Sequence, residues 1–192
     1  MLLKQIASNF KLRIKILKPN PDTNMEKLEL PNKNESPGRY VKRIALKKAI
    51  TAKRWMLESK KKYHSILTAD TTVALDNLIL GKPINPKNAF QMLKKLSNRQ
   101  HRVITSVVLI NFLNEQKHEY AYEIHQITQA STVWFGKISD SWLKNYVESG
   151  EPMDKAGGYG IQGKGQEIIK KINGSYSGIM GLPLFETSEI LK

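Results

Sequence analysis

The chain has 192 residues, 40% hydrophobic and 25% charged, with no cysteine and a formal net charge of +14. This length and balance suit one globular domain and exclude collagen-like or wholly disordered chains. Without cysteine there is no disulfide scaffold, cysteine nucleophile, iron–sulfur cluster or Cys-based zinc site. No apolar run reaches the roughly 18–20 residues of a membrane helix. Cations interrupt the opening MLLKQIASNFKLRIKIL, so no signal-peptide core is expected and the expected location is cytoplasmic. The positive charge comes from 25 Lys and only 6 Arg, beside 19 Ile and 13 Asn, a bias that an AT-rich coding sequence produces. A basic surface attracts anions. Bidentate reading of phosphates and bases leans on Arg, however, so nucleic acid is not the expected partner. Lys60-Lys61-Lys62 and Lys170-Lys171 read as solvated faces.

In chain order, Leu12 to Leu17 alternates apolar and basic residues, which predicts a half-buried strand. Lys18 to Gly38 is rich in Pro and Asn and predicts a long loop. Ser36 and Pro37 mark a helix start, and the stripe Val41, Ile44, Ala45, Ala49 and Ala52 carries that helix to about Leu57. Ser65 to Ala69 predicts a short strand ending at Asp70. Thr72 to Leu75 and Leu78 to Leu80 then flank a turn at Asp76-Asn77. Asn85-Pro86 caps a helix bearing Ala89, Phe90, Leu93 and Leu96. Two long strand-like runs follow, from His101 to Leu113 and from His118 to Gly136, with a turn at Asn114 to Lys117. Ser139 opens a short helix that Gly150 ends. Gly150 to Gly165, with six Gly and one Pro, predicts a loop. Ile168 to Ile172 predicts a strand and Leu184 to Leu191 a last helix. Helices and strands mix without strict βαβ alternation, so the expected class is α/β with a mixed sheet.

Some residues along this path can do chemistry. A carboxylate at Asp70 followed by Thr71 and Thr72 could hold a divalent ion or orient a water, or satisfy a turn's backbone donors. Lys82, between Gly81 and Pro83, projects a point charge from a stiff backbone, as a phosphate site or a solvent-facing turn would have it. In GEPMDKAGGYGIQGKG, Asp154 and Lys155 stand beside glycines that let backbone N–H groups approach an anion. Gln162 in the same segment can pair with the amide-like edge of a pyrimidine base. His64, His101, His118 and His125 have no metal-ligand spacing and read as structural or exposed. Trp134, Phe135, Trp142 and Tyr146 read as core.

The strings TADTTVALDNLILGKP, AFQMLKKLSNRQHRVITSV, YVESGEPMDKAGGYGIQGKG and INGSYSGIMGLPL stand in this order between Thr68 and Leu184, within a resemblance whose order and spacing hold from about Tyr40 to Leu191. Together they resemble the Maf family of nucleotide pyrophosphatases, also called septum-formation inhibitors. The resemblance implies a bent α/β sheet around a cleft between two lobes, often dimeric. It also implies hydrolysis of a nucleoside triphosphate to the monophosphate and pyrophosphate, aided by a divalent cation. The combination of ADT with YGIQG resembles the branch acting on dTTP and UTP, not the sister branch acting on 7-methyl-GTP. Carried onto this chain, Asp70 is the proton acceptor, and Thr71 and Gln162 match positions that set base preference. Lys48, Lys82, Asp154 and Lys155 match polar positions of the phosphate and metal cleft. An ordinary Asp, with a pKa of about 3.9, is ionised at neutral pH and is a weak base towards bulk water.

Two departures from the family pattern follow. Family members open with a strand and an S-x-S-P-R-R loop that grips the triphosphate. Here Met1 to Gln5 resembles the helix after that loop, so the expectation is a single domain over residues 1–192 with the first strand and loop missing. An acidic Glu of the family has no clear match, and Asp22 is nearest without taking its role. The competing expectation is a binding protein of the same fold, either a weakly catalytic nucleotide binder or a basic nucleic-acid binder.

Overall fold

The structure is a computed structural model and describes residues 2–8, 10–17, 29–58, 63–113 and 121–192. It opens with a short helix, α1 (Leu2–Ala7). Helix α2 (Pro37–Glu58) starts at the expected Pro37, whose fixed φ suits a first helical turn. Its apolar stripe is real: Val41, Ile44, Ala45 and Ala49 are fully buried. Strand β1 (Ser65–Leu75) turns through Asp76-Asn77 into β2 (Leu78–Leu80). Asp76 takes a left-handed φ of 54°, which short polar side chains tolerate. In α3 (Pro86–Leu96) the side chain of Asn85 caps the backbone N–H of Asn88 at 2.8 Å.

Strands β3 (Gln100–Phe112) and β4 (Tyr122–Phe135) form a long antiparallel pair. The turn expected at Asn114 to Lys117 lies outside the described residues. Helix α4 (Asp140–Glu148) is capped by Ser139, whose hydroxyl accepts from the Trp142 N–H. After it come β5 (Ile169–Asn173), α5 (Tyr176–Ile179) and α6 (Leu184–Ile190).

The five strands form one sheet in the order β2-β1-β3-β4-β5. Every pairing among the described residues is antiparallel, so the α/β class holds while the mixed sheet expected from the sequence is antiparallel here. The central strand β3 is buried on both faces from Val103 to Ile110 because helices cover both sides. On one face, Ala74, Ile104, Val108 and Ile110 meet the stripe of α2. On the other, Val73, Val103, Val133 and Phe135 meet Leu93, Leu96, Leu143, Tyr146 and Tyr159.

Two sequence expectations are corrected. Residues 12–17 are not a strand, and Leu12, Ile16 and Leu17 are 42%, 67% and 38% exposed. Alternation describes only a strand's faces; a strand also needs a ladder partner, and no pairing among the described residues reaches this segment. Residues 150–165 are not an irregular loop. They hold the 3-10 segments Glu151–Asp154 and Ala156–Gly158, and a third, Lys164–Ile168, begins within them.

Candidate active site

Asp70 does not end a strand, as the sequence suggested, but lies inside β1. Pairing with β3 runs unbroken from Ser65 opposite Asn111 to Ala74 opposite Arg102. On its other side β1 pairs with β2 only over Val73–Leu75. Asp70, Thr71 and Thr72 therefore sit where β2 has ended, beside open space. Successive strand residues point to opposite faces. Asp70 points towards α2, where the Lys48 ammonium donates to its Oδ1 at 2.6 Å. Thr71 points towards α5, with its hydroxyl 2.8 Å from that of Thr105.

The Gly-rich segment closes the opposite wall. The Gly157 N–H donates to the Gly81 carbonyl at 3.0 Å, tying this segment to the Gly81-Lys82-Pro83 turn. Gly157 has φ +69° and lies against Val73, where an added Cβ would come within 2.9 Å of that side chain. Only glycine permits this approach, which draws Asp154, Lys155 and Gln162 up to β1. The Lys155 ammonium donates to the Glu151 carbonyl at 2.7 Å and to Asp154 Oδ1 at 2.6 Å.

Lys48, Asp70, Thr71, Lys82, Asp154, Lys155 and Gln162 all line one cleft of about 370 Å³. Its electrostatics centre on Asp70, which is 9% exposed. Burial is the largest influence on the Asp70 carboxyl and pushes its pKa above the ordinary value, against the pull of Lys48 and, more weakly, Lys82. Burial opposes the Lys48 ammonium too. There Asp70 and Glu29 outweigh it and hold the pKa above that of an ordinary lysine. Asp154 is held low, first by its hydrogen bond from Lys155.

Two lining residues were not found from the sequence. The Glu29 carboxylate lies 2.9 Å from Lys48 Nζ, and the Tyr40 hydroxyl donates to the Glu29 carbonyl at 2.8 Å. Burial pushes the Tyr40 phenol up to about 12. Asp22 lies outside the described residues, and Glu29 is a further acidic residue that the structure brings to the cleft beside Asp70 and Asp154. No local pattern marks Glu29 in a Pro- and Asn-rich stretch; its partner Lys48 is the only pointer, and that pairing is visible only in three dimensions.

Chemically, the cleft offers two carboxylates joined by one lysine, a third carboxylate paired with a second lysine, a further lysine at Lys82, and a polar side chain at each of two walls. That set suits a polyanion carrying a planar polar group.

The family model described as Maf-like protein matches residues 1–192. The chain is similar to proteins named dTTP/UTP pyrophosphatase. That of Burkholderia lata is 42% identical over 191 residues, covering 100% of this chain and 86% of the relative. That of Aromatoleum aromaticum is 40% identical over 192 residues, covering 100% and 88%. That of Burkholderia thailandensis is 39% identical over 189 residues, covering 98% and 87%.

Proposed function

This chain belongs to the Maf family, and on that premise we propose that it is a nucleoside triphosphate pyrophosphatase acting on dTTP and UTP. The relatives' names supply the substrate class. The observation that carries the reading is the buried Asp70 held by Lys48 at 2.6 Å in a cleft that also presents Lys82, Lys155, Thr71 and Gln162.

In this reading the triphosphate lies along Lys82 and Lys155, which offset its negative charge. A water attacks the α-phosphorus in line. A new phosphorus–oxygen bond forms, the bond to the bridging oxygen breaks, and pyrophosphate leaves. Asp70 accepts the water's proton. Burial makes it a stronger base than an exposed aspartate, and Lys48 holds its carboxylate in place. Thr71 and Gln162 face the base.

A divalent cation fits this donor set. Glu29 and Asp70 both reach Lys48 and both line the cleft. Among the described residues no three Asp, Glu, His or Cys side chains converge as a cage. One or two carboxylates completed by substrate phosphates is the usual arrangement for a magnesium-type ion, and Glu29 would hold it, leaving Asp70 to take the proton. Such an ion would neutralise phosphate charge and acidify a bound water.

Among the described residues no helix is long and apolar enough to cross a membrane. The test is pyrophosphate release across a panel of nucleotides, with and without added magnesium, for the wild type and Asp70→Asn. UTP and dTTP should be turned over in preference to ATP and GTP. Asp70→Asn should lower kcat by about 10²–10⁴-fold, the usual worth of a positioned base. Nucleotide binding without pyrophosphate release in the wild type would leave a binding protein of this fold; near-normal turnover by Asp70→Asn would remove Asp70 from the chemistry.

A further inference from the structure

Thr71 and Thr105 stand directly opposite each other in the β1–β3 ladder, with hydroxyl oxygens 2.8 Å apart. Thr105 is fully buried, and its hydroxyl donates to the Gly178 carbonyl at 2.7 Å. A hydroxyl has one proton and two acceptor lone pairs, whereas a carbonyl oxygen can only accept. The Thr105 proton is therefore committed to Gly178. In the bond between the two threonines Thr71 must be the donor. The Thr71 hydroxyl, which lines the cleft, is left with lone pairs alone to offer there.

The carbonyl that sets this direction is itself held. The Gly178 N–H donates to the Ser175 hydroxyl at 2.9 Å. An added Cβ at Gly178 would come within 2.4 Å of Gln129 Oε1, so the turn is packed against β4.

From this relay we infer that Thr105 sets the base selectivity of the cleft, by fixing the Thr71 hydroxyl as a pure acceptor that pairs with a ring N–H and repels a bare ring nitrogen. The inference deepens the nucleotide pyrophosphatase reading and rests on it. Uracil and thymine carry a proton on N3; cytosine at neutral pH presents N3 as an acceptor. Gln162 cannot make this distinction alone. Its amide carries both a donor and an acceptor end and can turn over. It is exposed, and nothing among the described residues hydrogen-bonds its side chain. The discrimination falls to the group that cannot turn. Thr105 touches no substrate in this account; it is a positioning residue acting through Thr71.

The test compares kcat/KM for UTP and CTP in the wild type, Thr105→Val and Thr105→Ser, by pyrophosphate release. The wild type should favour UTP. In Thr105→Val the acceptor for the Thr71 proton is gone, so that proton can swing into the cleft and meet cytosine N3. The UTP-to-CTP ratio should then fall about ten-fold or more, with CTP turnover rising in absolute terms. Thr105→Ser keeps the relay and should keep a ratio near that of the wild type. Thr105→Ala removes the hydroxyl with less bulk and carries the same expectation as Val should the Val variant not fold. A purely structural role would lower both substrates alike. That result, an unchanged ratio in the Val and Ala variants, or a wild type indifferent to UTP and CTP would overturn the inference. If the wild type releases no pyrophosphate from any nucleotide, the activity reading fails. The ratio of UMP to CMP affinity, measured by calorimetry in the same proteins, then decides the role of Thr105 by the same criteria.

Discussion

Lys48 donates to Asp70 from 2.6 Å, and a cation so placed favours the ionised carboxylate. Burial of Asp70 outweighs that help and leaves its pKa above the ordinary value of 3.8. A base must be ionised to work, so the acid limb of the kcat/KM profile should lie above the range of an exposed aspartate. Removing Lys48 removes the influence that opposes burial. Lys48→Met should therefore move this limb to still higher pH, beyond any fall in the plateau. The measurement is the pH dependence of kcat/KM, which reports the free enzyme's groups. An acid limb that stays put in Lys48→Met would mean that Asp70 is not the titrating base.

Among the elements, the segment between α4 and β5 depends on one side chain. The Glu151 carboxylate accepts from the backbone N–H groups of Lys164 and Gly165, at 3.1 and 3.2 Å, and from the Tyr146 hydroxyl at 3.0 Å. Its own carbonyl accepts from Lys155. Although burial works against it, the two backbone donors and Tyr146 hold the Glu151 pKa below the ordinary value. This clip joins the first 3-10 segment to the third, and Gln162 lies on the stretch between them. Glu151→Ala should raise KM about ten-fold and weaken base preference, while kcat at saturation changes less. Stability should fall by about 1 kcal/mol, because the partly buried Gly165 N–H and Tyr146 hydroxyl lose their acceptor. Steady-state kinetics with UTP, alongside urea unfolding, checks both. An unaltered KM would show that the segment holds its shape without Glu151.

For the molecule as a whole, the consequential titrating group outside the cleft is His101. It is 2% exposed, with Nε2 2.6 Å from the Tyr159 hydroxyl and its ring edge-on to Phe135 and Tyr159. Its Nδ1 has no partner among the described residues. Burial depresses its pKa from 6.5 to about 4. A depressed folded-state pKa contributes stability that is present above the unfolded value of 6.5 and is lost as pH falls towards 4. At 1.36 kcal/mol per unit the loss is about 3 kcal/mol. Asp70, with its raised pKa, acts in the opposite sense. Urea unfolding from pH 7 to pH 4 should show this decline in the wild type, and a much flatter profile in His101→Gln even if that variant is less stable at pH 7. Parallel profiles would exclude His101 as the source.

The sequence by itself determined what depends on near neighbours. Caps at Asn85 and Ser139, the proline start of α2, the Asp76-Asn77 turn and the long strand runs are local codes, and the structure follows them. Family strings in the chain also named six of the polar residues that the fold gathers into one cleft, and the wider family resemblance named the seventh, Lys48. Only the tertiary structure decided what depends on partners far along the chain. Residues 12–17 have the alternation of a strand without a ladder partner among the described residues, and Asp70 became strand interior because β3 pairs through it. Glu29 entered the site through Lys48. Burial, which no local pattern reports, set the basicity of Asp70 and kept His101 neutral. The direction of the Thr71 proton is likewise settled 34 residues away at Thr105. A hydroxyl's lone pairs and a carboxyl's pKa belong to the environment of a side chain, and that environment exists only once the chain has folded.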